Sequence, residues 1–357
     1  MFFNLHSLIK IWAPNVPIEI NSFLSRQLGH ILTEPQNKTD ESNIFLLELN
    51  KPPVFKKSFE RWDSLFGFYL TQYQGQDAIV FSYKGKPDII VSLSDTIEIY
   101  YLNRPNICHK LYGTILFCIN LSLNKLDGLL LHGAAVKNEK HCLVLTGHRG
   151  TKKTMLLLTM LRDGWGFLSD DKFILLNSSA YLFQPTVPLR GHHFNTLRWL
   201  SEIVSDKQQL IKWSATKRRL LCLARRHVHK HLLPAVDRFL NPSLVVPADI
   251  FSPMCKIVYS STPSMFIAIF AGNKFELRDI PRDDFIEKMS IIQQMASHEF
   301  AQTECMLHLY NRESGHNLKN IIDKNICCHH FFRLTIPGDF DINQAYQELM
   351  KCIRQVS

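Results

Sequence analysis

The chain lacks an unbroken apolar run of bilayer-spanning length. Its most membrane-like stretch, residues 112–131, is interrupted by Asn120, Asn124, Lys125 and Asp127, so no membrane span is expected. The first ten residues carry no charged leader, apolar run and small-residue cleavage site in succession, so a secretory signal is not expected either. Internal repeats and low-complexity tracts are absent. So is the low-hydrophobicity, high-charge composition of disordered chains: 46% of residues are hydrophobic and 20% charged. The nine cysteines are scattered without the spacing of a disulfide-stapled scaffold, and their number is odd. Reduced thiols in a cytoplasmic protein are the expectation. Cys327-Cys328-His329-His330 lacks metal-ligand spacing, because neighbouring side chains on a strand point to opposite faces and zinc ligands are normally set apart.

What is present is a chain of 357 residues, long enough for two domains or one large one. A formal net charge of +9 suits an anionic partner such as a nucleotide or acidic peptide, and equally suits plain solubility. The densest basic run, residues 217–231, sets Leu220, Ala224 and Val228 at helical spacing. That pattern describes the solvated face of an amphipathic helix, with docking of an acidic partner as the alternative. Nucleic-acid binding is not expected, because no reader motif accompanies the charge.

Residues 67–102 alternate β-branched and aromatic positions between the turn signals Gly75, 84–87 and 94–95, which predicts an antiparallel meander. We assign residues 1–104 to an N-terminal β-rich accessory domain and 105–357 to a second domain with a basic helical insertion at about 196–245. In the second domain a helix is expected from Pro105 to Lys125, then strands over 129–136 and 141–146. A helix over 153–162 follows, with Gly164 placed to end it, then short strands on either side of Asp170-Asp171. Strands are predicted at 256–260, 265–270, 275–278 and 331–336. Helices are predicted from 281, with Phe285, Met289, Ile292 and Met295 on one face, over 303–323, and after Asp341.

One octapeptide names a chemistry. Gly147-His148-Arg149-Gly150-Thr151-Lys152-Lys153-Thr154 matches the phosphate-loop pattern G-x-x-x-x-G-K-[ST] except that Lys152 stands where glycine is asked for. A strand before and a helix after, as predicted here, turn such a loop into an anion site of converging N–H groups at a helix N-terminus. Lys153 offers charge to the β- and γ-phosphates and Thr154 a hydroxyl to Mg²⁺. A lysine at 152 must point away or replace part of the loop's charge, and a decayed loop is the competing reading. Asp170-Asp171 suits metal coordination and general-base duty; an isolated pair reads as a plain acidic turn, but its place after the loop's helix and one short strand favours function. His132, alone, reads as a core histidine in a strand.

Taken together, residues 129–136, 147–154 and 164–171 resemble the HPr serine kinase/phosphorylase family, in particular its kinase-related branch. The shared order is a His132-Gly133 strand, a phosphate loop, a short helix ending in glycine, and the paired aspartates. The resemblance covers residues 129–176. It implies an α/β fold with a P-loop kinase core related to phosphoenolpyruvate carboxykinase, using ATP and Mg²⁺ as cofactors. The acceptor would be a serine-like hydroxyl on a peptide, protein or small molecule, and the family is often oligomeric. By carry-over, residues 147–154 would hold nucleotide, Thr154 and Asp171 the metal, Asp170 would act as base, and His132 would stand near the transferred phosphoryl group. Arg190-Gly191 resembles an Arg-Gly element that would clamp phosphate. No phosphorylase signature aligns. A degenerate, non-catalytic module that recognises an acidic partner is the alternative to a kinase.

Overall fold

A computed structural model describes residues 2–28, 43–53, 60–61, 68–83, 86–94, 96–105, 107–148, 150–204, 243–300 and 318–356. Arg149, the basic run 217–231, most of the expected helical insertion, and 303–317 of an expected helix lie outside these residues. The chain is mixed α/β with more than one sheet.

The described residues up to 102 build eight strands: β1 (Phe2–Leu5), β2 (Ile9–Trp12), β3 (Ile44–Leu49), β4 (Glu60–Arg61), β5 (Phe68–Tyr73), β6 (Gln76–Tyr83), β7 (Lys86–Leu93) and β8 (Ile97–Leu102). Strands β5 to β8 form the expected antiparallel meander. The β5–β6 turn places Gln74 and Gly75 at φ 53° and 85°, as a two-residue hairpin of matching twist requires. The sheet then continues beyond the meander. β8 pairs in parallel with β3, β3 in parallel with β2, and helix α1 (Ile18–Leu28) supplies the crossover.

Helix α2 (Ile107–Lys125) is apolar on nearly every side, and buried residues occupy most of its length. Ile115, Phe117 and Ile119 share one core cluster with Leu5 and Ile99 of the first sheet and with Leu130 and Ile174 of the second. Asn120 Oδ1 accepts the Leu130 N–H at 2.9 Å. No helix among the described residues is long and apolar enough to cross a membrane.

The second sheet holds β9 (Leu129–Lys137), β10 (Cys142–Gly147), β11 (Gly166–Ser169), β12 (Lys172–Leu176), β13 (Ser179–Leu182), β16 (Ser260–Ser261), β17 (Met265–Ala271), β18 (Glu276–Asp279) and β19 (His330–Ile336). Its order is β16-β13-β12-β9-β10-β17-β19-β18, with β11 also on β9. A separate ribbon pairs β14 (Thr186–Arg190) with β15 (Ser243–Pro247). Strands β10, β17 and β19 run parallel, so their carboxyl ends share one edge. Helices α3 (Lys153–Arg162) and α8 (Ile342–Val356) pack on one face of this sheet. Helices α6 (Arg282–Phe300) and α7 (Leu318–Asn325) cover the other. Two short helices, α4 (Gly191–Thr196) and α5 (Leu200–Ile203), follow β14.

Two sequence expectations fail here. Residues 256–260 form no continuous strand; Lys256 and Val258 only bridge to Phe167 before β16 begins. On α6, Phe285, Met289 and Ile292 are buried, but Met295 is exposed, one turn past the part of the helix that meets the sheet.

Candidate phosphate-loop site

Strand β10 delivers the chain to Gly147 at the sheet's carboxyl edge. A side chain there is barred. Its Cβ would lie 2.4 Å from Ile269 O and 2.8 Å from Thr151 Oγ1, and φ is 155°. The chain then turns through His148 and Gly150, the latter at φ 86°. Thr151 stabilises the turn, its hydroxyl donating to His148 O at 2.8 Å.

Lys152 caps α3 with φ 67° and ψ 17°, the left-handed conformation a glycine would take. Its side chain points away from the loop, and Nζ donates to Pro337 O (3.0 Å) and Phe340 O (2.9 Å). The departure from the motif therefore leaves the backbone path intact. The first helical hydrogen bond runs from Leu156 N to Lys152 O, so the N–H groups ahead of Leu156 have no partner within the helix. Lys153 is buried, and Nζ donates to Gly147 O (2.7 Å) and His148 O (3.0 Å), curling the loop around its own lysine.

The carboxylates arrive from the opposite side. Strand β11 ends at Ser169 and β12 begins at Lys172, and both pair with β9. The two residues between them form a tight turn, with Asp171 at φ 71° and the Lys172 N–H donating to Asp170 O at 2.9 Å. The turn aims the two side chains differently. Asp170 is 1% exposed and accepts from Thr154 Oγ1 at 3.1 Å and 3.0 Å on its two oxygens. Asp171 keeps 36% of its side chain exposed, and it pairs with Lys172 Nζ and with His132 Nδ1, the latter at 3.4 Å.

Burial, with the neighbouring charge of Asp171, raises the Asp170 carboxyl to about 7, despite opposing contributions from Thr154 and Lys153. For Asp171 burial acts in the same upward direction, but Lys172, His132 and Lys153 outweigh it and hold the group below the ordinary carboxylate range. Of the pair, Asp170 is pushed toward the protonated form and Asp171 toward the charged one.

His132 lies on β9 where the β9–β10 ladder stops, because Thr146↔Gly133 is its last rung before β10 becomes loop. The buried Gln293 of α6 replaces the missing strand, accepting the His132 N–H at 3.0 Å and donating to Leu130 O at 2.7 Å. Gly133 is needed for close approach, since a Cβ would meet Leu145 O at 2.8 Å.

Thus the structure brings together Gly147, His148, Gly150, Thr151, Lys153, Thr154, Asp170, Asp171 and His132. Lys152 stands in the loop with its charge directed elsewhere. Arg190 ends β14, its N–H donating to His193 Nδ1 at 3.1 Å, on the separate ribbon. Sequence reasoning missed Lys172, Gln293 and the pair Tyr112–Gln184. Burial pushes the Tyr112 hydroxyl up to about 12, and Lys172 and Asp171 both influence it. Lys172, adjacent to the aspartates, was legible as a partner for one of them; the others come from remote segments.

Thr154 and Asp170 offer hard oxygen donors, which fit Mg²⁺ in type. Among the described residues no group of three or more His, Cys, Asp or Glu could hold a metal. No protein-family model matches the chain, and no curated protein is significantly similar to it in sequence.

Proposed function

We propose that the chain is an ATP- and Mg²⁺-dependent kinase, similar to the HPr serine kinase family, that phosphorylates a serine-like hydroxyl of a peptide, protein or small molecule. The observation that carries this reading is the contact of Thr154 with Asp170, a loop hydroxyl meeting a strand-end carboxylate at the N-terminus of α3. In this reading the N-terminal N–H groups of α3 receive the phosphates, and Lys153 exchanges loop carbonyls for β- and γ-oxygens. Mg²⁺, when bound, supplies neutralisation of phosphate charge.

The geometry also favours exchanging the roles that the sequence resemblance implied for the two aspartates. Asp170, against Thr154, belongs to the metal side. Asp171, partly exposed beside His132 and Lys172, faces the acceptor. There it orients the hydroxyl in line with the γ-phosphorus. As the new O–P bond forms, the bond to the β-bridging oxygen breaks and the hydroxyl proton passes to the carboxylate. Because the transition state of phosphoryl transfer is loose, positioning matters more than base strength, and a weakly basic carboxylate suffices.

One observation favours the second reading, a non-catalytic module: Lys153 Nζ is already held by Gly147 and His148 carbonyls. Titration with a fluorescent ATP analogue and Mg²⁺ separates the two. Saturable, Mg²⁺-dependent binding is expected of the kinase, and none at millimolar nucleotide is expected of the module.

A further inference from the structure

Lys152 performs a glycine's backbone task with a side chain attached. Left-handed φ and ψ are disfavoured for such a residue, so the conformation has to be held from outside. The side chain itself makes the connection, through Nζ to Pro337 O and Phe340 O. Both carbonyls belong to the turn from β19 into α8. That turn is itself fixed. Phe340 stacks on Phe275 with ring centroids 4.6 Å apart and planes at 12°, and Asp341 Oδ1 accepts the Asn343 N–H in the first turn of α8.

The other end of α3 is tied to the same helix, where the Tyr346 hydroxyl donates to Asp163. Helix α3 is therefore fastened to the C-terminal segment at its first and its last turn. The charge of Lys152 is also spoken for. Burial lowers its pKa, and Asp339 and Asp341, on the far side of the turn, work against that.

We infer that Lys152 is a positioning residue for the phosphate loop: its tether to Pro337 and Phe340 maintains the left-handed step that glycine would take freely, and thereby couples nucleotide affinity to the β19–α8 turn. The nucleotide part of this inference rests on the kinase reading, whereas the tether does not. The rival role for a lysine in this loop is direct attraction of phosphate. The two differ in what glycine does at the position. Glycine removes the strain together with the tether, but it also removes the charge.

Three variants of the full chain separate these roles. Lys152→Met removes the tether and keeps a side chain in the left-handed region. Lys152→Arg keeps a donor long enough for the two carbonyls. Lys152→Gly removes tether and strain together. Loss of two hydrogen bonds from a charged donor is expected to weaken Mg²⁺–ATP affinity about tenfold in Lys152→Met. Amide hydrogen exchange should accelerate at Leu156, whose N–H donates to Lys152 O. Lys152→Arg and Lys152→Gly should each recover most of the affinity. Affinity as weak in Lys152→Gly as in Lys152→Met, with Leu156 exchange unchanged in both, would overturn the inference in favour of direct phosphate attraction. If the unaltered chain binds no nucleotide, the kinase reading fails and exchange alone decides. Faster exchange in Lys152→Met then upholds the tether, and unchanged exchange refutes it.

Discussion

The hydroxyl of Thr154 donates to both carboxylate oxygens of Asp170, at 3.1 and 3.0 Å, joining the first turn of α3 to the end of β11. Burial of the Asp170 carboxyl, with the charge of Asp171 beside it, outweighs the hydrogen bonds from Thr154 and the Asp171 backbone and the charge of Lys153, and raises its pKa to about 7. Such a group gains most from a cation placed between it and the hydroxyl.

The two aspartates should therefore fail differently when neutralised. Asp170→Asn is expected to abolish the Mg²⁺ dependence of nucleotide binding and weaken binding by about tenfold or more. Asp171→Asn should leave nucleotide affinity within a few-fold of the original and cut phosphoryl transfer by roughly 10²–10³. Equilibrium binding and single-turnover transfer, measured on both variants, check the split. The reverse pattern would return Asp170 to the role of acceptor base.

Stability should carry the signature of the same pair. Asp170 ionises near 4 in the unfolded chain and near 7 when folded, so the native state binds more protons in between. Its contribution is present in full below about pH 4 and is lost as pH rises through about 7. Asp171 works in the opposite sense: its contribution is present above the ordinary carboxylate pKa and is lost on acidification, as its partners Lys172 and His132 lose a charge to face. Urea midpoints measured at pH 5 and pH 8 should differ less in Asp170→Asn than in the unaltered chain. The expected difference corresponds to about 2–4 kcal/mol. Equal pH dependence in the two proteins would contradict the raised carboxyl.

The loop's two conformational glycines should also differ. Gly147→Ala sets a methyl 2.4 Å from Ile269 O, between two parallel strands that cannot part. A loss of roughly 3 kcal/mol in unfolding free energy is expected. Gly150→Ala meets nothing within 4 Å and pays only for φ 86°, about 1 kcal/mol. Thermal unfolding of the two variants gives the comparison, and equal losses would show that the close approach to Ile269 is unimportant.

Local signals carried much of this structure. Helix α3 runs from Lys153 to Arg162 as its apolar spacing and Gly164 predict, and β9, β10 and the Asp170-Asp171 turn fall where the strand and turn residues place them. The meander of β5 to β8 was legible for the same reason, since alternating residues mark its strands and Gly75 its first turn. The parallel pairing of β3 with β2 and β8 was not, because it joins segments far apart in sequence through α1 and leaves no local mark. The strand expected at 256–260 failed on a similar point, as a β-rich composition does not reveal whether an edge finds a full partner. Gln293 stands more than a hundred residues from the β9 backbone it caps, so no motif announces it. Lys152 was readable as an anomaly, but its anchor on Pro337 and Phe340 emerges only from the packing of α8 against α3.

The central claim is that the 147–154 loop drives ATP-dependent phosphoryl transfer through Lys153. It is tested most directly by incubating the full chain with γ-labelled ATP, Mg²⁺ and candidate hydroxyl-bearing acceptors, beside the Lys153→Ala variant. The account predicts label transfer by the unaltered chain and a loss of roughly 10³ in rate in the variant, since it removes the buried charge that would exchange the Gly147 and His148 carbonyls for phosphate oxygens. Transfer at equal rates by both proteins would contradict it.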